Sequence, residues 1–153
     1  MKKFELTSET KINIFGKKLF RIKALISFGN VEAGKTGGWV EKEENVNQSG
    51  NAWVFDNAEV FGNARVSGNA WVSGNAWVSG NADYATIHGF GTQFRTTTFF
   101  RCKDKQVKVS CGCFYGTIPE FREQVKNTRK GKIAEEYLMI ADLMEKHFAE
   151  EAK

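Results

Sequence analysis

Six hexads follow one another without a break over residues 49–84: SGNAWV, FDNAEV, FGNARV, SGNAWV, SGNAWV and SGNADY. A degenerate seventh, ATIHGF, carries the run to residue 90. Val54, Val60, Val66, Val72 and Val78 recur at this step, with Tyr84 and Phe90 in phase, and an alanine lies two residues before each valine and Tyr84. Upstream, Phe28, Gly34, Val40 and Val46 keep the same step until a two-residue insertion precedes Val54. A period of six matches neither the 3.6 of a helix nor the 2 of a plain strand. In a short Ala-x-Val strand, Ala and Val share one face and the residue between them points the other way. The Ser-Gly-Asn that follows must turn the chain, because Gly and Asn tolerate positive φ. Strand, turn, strand, turn with one inward face is a coiling solenoid.

The corners explain a composition of fifteen Gly and eleven Asn against a single Pro, which excludes a coiled coil, a collagen or an ordinary helical bundle. At 153 residues the chain fits one domain with a small appendage. No apolar run approaches the roughly 18 residues of a membrane span, and Met-Lys-Lys leads into no signal-peptide block, so a soluble, cytoplasmic protein is expected. The net charge of +4 hides segregation: residues 94–130 alone carry +6, while residues 131–153 carry −3. Cys102, Cys111 and Cys113 have a C-x8-C-x-C spacing unlike paired zinc motifs, and only His88 and His147 could join them. Reduced thiols and no metal site are expected.

The flanks read as two caps. Lys11–Phe15 and Leu19–Ile26 alternate around Gly16-Lys17-Lys18, an N-terminal hairpin that closes one end of the solenoid. Phe94–Cys102 and Val107–Phe114 flank a second turn. Symmetric pairing would set Phe100 opposite Val109, Thr98 opposite Cys111 and Thr96 opposite Cys113. The other face of that hairpin would gather Arg95, Thr97, Phe99, Arg101, Lys108 and Ser110, from which Arg95, Phe99, Arg101, Lys108 and Ser110 form a candidate phosphate or nucleotide site. A merely solvated basic face is the alternative. Thr117-Ile118-Pro119-Glu120 is a capping box with proline in the first turn, opening a helix to about Arg129. A second amphipathic helix runs from Lys132 to about Glu150, with Ile133, Tyr137, Ile140, Ala141, Met144 and Phe148 on one stripe. Three segments follow: a hairpin cap at 1–27, the repeat at 28–92, and a hairpin plus two helices at 93–153.

The hexads, with an aliphatic residue and then a small one four positions later, resemble the hexapeptide-repeat left-handed parallel β-helix, and the resemblance covers about residues 28–90. It implies a mainly β fold in which three hexads make one triangular coil, topped by the N-terminal hairpin and a C-terminal α+β cap. Residues three hexads apart would then stack, Trp53 on Trp71 and Glu59 on Trp77, with Trp39 joining the latter column if the insertion is only a loop. Arg65 would meet Asp83, and corner asparagines such as Asn51 and Asn69 would form ladders. Along its whole length the chain also resembles proteins of tailed bacteriophages and prophages, through GGWVEKEENV, the GNA hexads and TTTFFRCKDKQVKVSCGCFYGTIPEF. That second resemblance implies a phage origin and no mechanism.

Trp39, Trp53, Phe55, Phe61, Trp71 and Trp77 fall on outward positions of the hexad frame or just after the inward valine. Each carries roughly 150–250 Å², more together than a soluble monomer leaves bare. They are expected to be covered, by a homo-oligomer (a trimer first) or by the chain's own flanks. Three functional classes follow. The favoured one is a non-enzymatic, oligomeric, phage-type binding protein, a counter-defence protein that sequesters a nucleotide-like signal or blocks a host protein. The alternatives are a virion- or tail-associated structural trimer and a hexapeptide-family acyltransferase with a histidine base. No cofactor, membrane attachment or sequence-specific nucleic-acid binding is implied.

Overall fold

The computed structural model describes residues 2–112 and 114–149; Cys113, and its expected place opposite Thr96, lies outside them. The chain is mainly β, with two helices near its C-terminal end. β1 (Phe4–Ile12) and β2 (Lys18–Ala24) form the N-terminal hairpin. Its first strand starts earlier than the Lys11 expected and stops at Ile12, because Asn13 Oδ1 accepts from the backbone N–H of Phe15 and Lys17 and turns the chain there.

β2 pairs antiparallel with β3 (Thr36–Val40), and beyond β3 the pairing becomes parallel. β3 is followed in its sheet by β5 (Glu59–Val60) and β7 (Trp77–Val78), giving the order β1-β2-β3-β5-β7. A second parallel ladder joins β4 (Trp53–Val54) to β6 (Trp71–Val72), and a bridge joins Val46 to Val66. The chain therefore returns beside itself after every three hexads, with Trp53 opposite Trp71 and Glu59 opposite Trp77. Trp39 sits opposite Glu59, so the insertion is absorbed in a loop. There Gln48 Oε1 accepts from the N–H of Lys3 (2.7 Å) and Phe4 (3.2 Å). The Ala and Val of each hexad from Ala52 to Val78 are buried and make the core of this segment.

Two corners show why the turn residues are needed. Gly62 has φ +63°, and a Cβ there would lie 2.5 Å from the Ser79 carbonyl oxygen of the next coil. In the hexad FDNAEV, Asp56 replaces that glycine and takes φ +56°, a conformation aspartate tolerates better than most side chains.

Both ends of the parallel ladders are closed by the chain itself. Ala52 starts its ladder, so its carbonyl has no strand beneath it; Lys3 Nζ donates to it at 2.8 Å and to the Gly50 carbonyl at 3.4 Å. At the other end the Trp71 N–H donates to Thr98 Oγ1 (3.1 Å), Cys102 bridges Ala76, and the Lys103 N–H donates to the Asn75 carbonyl (3.0 Å). Lys3 is 1% exposed, and burial lowers its ammonium from 10.5 to about 8. Between those values the unfolded chain holds a proton that the folded chain has released, so stability rises with pH through that window. Thermal melts of the wild type are expected to show this rise, and Lys3→Met to remove it.

The last ladder leads into β8 (Tyr84–Phe90), β9 (Arg95–Arg101), β10 (Val107–Cys111) and β11 (Phe114–Thr117), an antiparallel sheet of order β11-β10-β9-β8. The degenerate seventh hexad is thus β8 of this sheet and not another coil strand, since Ile87 pairs with Thr97 and His88 with Thr96. The β9–β10 register is one residue from the symmetric pairing: Phe99, not Phe100, lies opposite Val109, and Phe100 lies opposite Lys108. A one-residue slip exchanges faces. It arises because β9 is covered on both sides, Phe99 by the helices and Phe100 by the coil core.

α1 (Ile118–Thr128) and α2 (Gly131–Phe148) follow the expected pattern. Thr117 Oγ1 accepts from the Glu120 N–H (3.3 Å), and Glu120 Oε1 accepts from the Thr117 N–H (2.9 Å), completing the capping box. Tyr137, Ile140, Ala141, Met144 and Phe148 bury the stripe of α2 against Phe99, Val109 and α1. Among the described residues no helix is long and apolar enough to cross a membrane.

Candidate functional site

The outward aromatic residues, expected to be covered either by a second subunit or by the chain's own flanks, are mostly covered within the chain. Trp53 is completely buried, edge-on to Phe4 (5.8 Å) and Phe28 (5.2 Å). Trp39 is buried beneath Lys11 (4.7 Å) and Arg21 (4.3 Å), and clusters with Leu19 and Phe61. Phe15, at the hairpin turn, packs on Phe61 (5.7 Å) and Trp77 (5.1 Å). The chain itself therefore buries Trp39, Trp53 and Phe61 and half-covers Trp77. Phe55 and Trp71 stay half-buried, edge to face at 5.4 Å.

The basic face expected on the second hairpin is also corrected. Thr97 and Phe99 lie under the helices at 1% and 0% exposure. The register places Lys108 and Ser110 on the opposite side of the sheet, beside Phe100 and Thr98. Lys108 sits over the Tyr115 ring (5.7 Å). Arg101 pairs with Asp83 (3.2 Å), donates to the Phe148 carbonyl (3.1 Å) and covers that ring, so Asp83 does not take Arg65 as its partner. Of the five residues assigned to one phosphate site, the structure leaves Arg95 and Ser110 near each other and separates Phe99, Arg101 and Lys108 from them.

What it assembles instead is a cleft between a corner column of the coil and the C-terminal sheet. The cavity of about 270 Å³ is lined by Asn51 and Asn69 from stacked corners, by Trp71, and by His88, Arg95 and Ser110 from the sheet. A shallower recess of about 230 Å³ continues past Trp71 toward Phe55 and Asp56. Gly112, at φ +59°, lets the Arg95 guanidinium into the wall, because a Cβ there would fall 2.0 Å from Nη1. His88 is exposed, and its Nδ1 lies 2.7 Å from Thr96 Oγ1 across the β8–β9 pair. The tautomer that donates Nδ1–H to Thr96 leaves Nε2 free as an acceptor. His147 sits on the last turn of α2 against Phe148 and does not line the cleft.

The cleft thus offers an indole, a guanidinium, an imidazole, two hydroxyls and three carboxamides, a set suited to a ligand with a planar part and an anionic part. Sequence spacing missed the contribution of Asn51 and Asn69 because their role depends on which corner faces the sheet. Burial and Asp104 push Cys102 up to about 12, so it stays protonated, and Cys111 accepts from Thr97 Oγ1 at 3.2 Å. Among the described residues no group of three or more His, Cys, Asp or Glu could hold a metal ion.

No family model matches the chain. It is similar to the uncharacterized acetyltransferase YdcK of Escherichia coli (strain K12), with 37% identity over 66 residues that cover 37% of this chain and 19% of the relative. The chain spans about a fifth of the length of that relative.

Proposed function

We propose that the chain folds as a short left-handed parallel β-helix of the hexad-repeat kind, and that it binds a nucleotide-type small molecule in the cleft at the coil–sheet junction. Parallel pairing at a step of three hexads supports the architecture. One observation carries the function: Trp71, His88, Arg95 and Ser110, from four different strands, converge with Asn51 and Asn69 on a single cavity. Trp71 supplies a stacking surface worth about 1–3 kcal/mol per base. Arg95 supplies a planar fork for phosphate. The asparagine carboxamides can both donate to and accept from a base edge. Sequestration needs nothing more than this set and a rigid scaffold.

Calorimetry of the full chain against mononucleotides and cyclic dinucleotides tests the assignment. Saturable binding is expected for at least one of them, weakened about tenfold or more by Trp71→Ala. Silence across the panel rejects it.

A second reading, acyl transfer, is favoured by the relative's name together with the His88–Thr96 contact. Nε2 of His88 would take the proton from an acceptor hydroxyl or amine as that group attacks the acyl carbonyl, and Arg95 would hold phosphate on the acyl carrier. Release of free thiol from acetyl-coenzyme A with a panel of amines and alcohols measures this directly. Turnover lost in His88→Ala supports it, and no release above buffer rejects it.

A further inference from the structure

A second cavity lies between the helices and the C-terminal sheet and shares only Arg95 with the cleft. It holds about 180 Å³. Phe114, Phe121 and Val125 give it an apolar wall, while Arg95, Arg129 and the Tyr137 side chain give it a polar edge. Arg95 stands in the wall shared with the cleft; Arg129 belongs to this cavity alone.

The charges in this cavity are unbalanced. No aspartate or glutamate lines it, and among the described residues neither guanidinium pairs with a carboxylate; Arg95 donates to the neutral Gln93 Oε1 at 2.6 Å. The neighbouring arginines behave otherwise. Arg101 pairs with Asp83, and Arg122 pairs with both Asp142 (2.8 Å) and Glu145 (2.9 Å). Two guanidiniums at a partly enclosed site repel each other unless an anion stands between them. Tyr137 is 3% exposed. Burial raises its hydroxyl, Cys111 adds to the rise, and Arg129 and Arg95 oppose it, which places both cations within electrostatic reach of that oxygen. The hydroxyl stays protonated near neutral pH and can donate. On size, an apolar cavity of about 150 Å³ accommodates benzene, so this one has room for a ring-sized body with an anionic head.

From this geometry we infer a binding site for a small organic anion, a carboxylate or phosphate monoester, whose charge lies between Arg95 and Arg129 and whose apolar body rests on Phe114, Phe121 and Val125. The shared chemistry is an oxyanion with at least two acceptor oxygens, which matches the fork of a guanidinium.

The experiment titrates the isotope-labelled full chain with benzoate, phenyl phosphate and, as an uncharged isostere, benzamide, following backbone amides by NMR. Saturable shifts at the end of α1, the first turns of α2 and the facing strand residues Arg95, Cys111 and Phe114 are expected with at least one anion, and the tighter of the two assigns the head group. Benzamide is expected to bind at least tenfold more weakly. Arg129→Gln is expected to weaken the anion at least tenfold while leaving nucleotide binding in the cleft unchanged. Arg129→Lys, which keeps the charge and loses the fork, serves as the second variant should Arg129→Gln lower the melting temperature, and an intermediate affinity is expected from it. Absence of saturable shifts with both anions overturns the inference. So does benzamide binding as well as benzoate, or undiminished binding in both Arg129 variants. None of these outcomes touches the cleft, because Arg129 does not line it.

Discussion

Trp53→Ala is expected to cost about 3–5 kcal/mol of folding stability, the range for deleting a fully buried large aromatic side chain. The indole has no exposed surface, meets Phe4 and Phe28 edge-on, and is so closely enclosed that a Cβ on Gly37 would lie 2.6 Å from its Cζ2. Truncation would remove the contact that fastens the N-terminal strand to the first coil, so denaturant melts should show the loss together with early exposure of residues 4–24. Trp71, one coil further on and opposite Trp53, is half-exposed, and its truncation is expected to cost about 1 kcal/mol or less. The contrast separates two ways of covering aromatic surface. If the chain's own flanks do it, light scattering gives the same mass for the wild type and Trp71→Ser. A drop in mass on that substitution would assign Trp71 to an interface between copies of the chain.

Glu59→Gln is the second large effect. Glu59 is 2% exposed and occupies an outward position of the hexads that holds tryptophan in the coils on either side, Trp39 and Trp77. Its carboxylate pairs with Lys11 (2.9 Å) from the N-terminal hairpin and with Lys103 (3.3 Å) from the C-terminal sheet, while Asn13 Nδ2 donates to it at 3.4 Å. Removing one partner of a buried pair costs about 3–5 kcal/mol when the remaining charge stays buried. Here Lys11 and Lys103 are themselves 32% and 38% exposed and can turn to water. The loss is therefore expected near about 2 kcal/mol, and Glu59→Lys, which would gather three cations, should fail to fold. Chemical denaturation of both variants is the check. A loss in Glu59→Gln below about 0.5 kcal/mol would mean that the pairs behave as surface salt bridges.

The sequence made part of this protein legible and left the rest open. The hexad period, the Thr117 capping box and the apolar stripe of α2 could be read because each follows from a local rule of period or capping, while the stacking of Trp53 on Trp71 and the Trp39–Glu59–Trp77 column needed the three-hexad coil that the resemblance implies. The register of β9 against β10 was not legible. Thr97 through Phe100 are buried on both sides, and alternation specifies a register only where one face is wet. The same slip dispersed the candidate phosphate residues: Arg101 went to Asp83 and Phe148, Lys108 to Tyr115, and only Arg95 and Ser110 reached the cleft.

The feature most open to misreading was the row of outward aromatics. A hexad frame establishes that Trp53 and Trp77 point away from the coil core, and it says nothing of what lies across from them. That depends on the N-terminal hairpin and the segment after it folding back so that Phe4, Phe15 and Phe28 meet those rings. By itself the sequence determined the hexad period, the inward Ala and Val, and the Thr117 cap of α1, since periodic side-chain direction and local hydrogen bonding settle them; the step of three hexads came only as what the resemblance implies. Only the tertiary structure decided which aromatics are buried, how the ladder ends are closed by Lys3 and Thr98, and which polar side chains share a cavity. Those contacts join residues far apart in the chain, and no local period carries the geometry that brings them together.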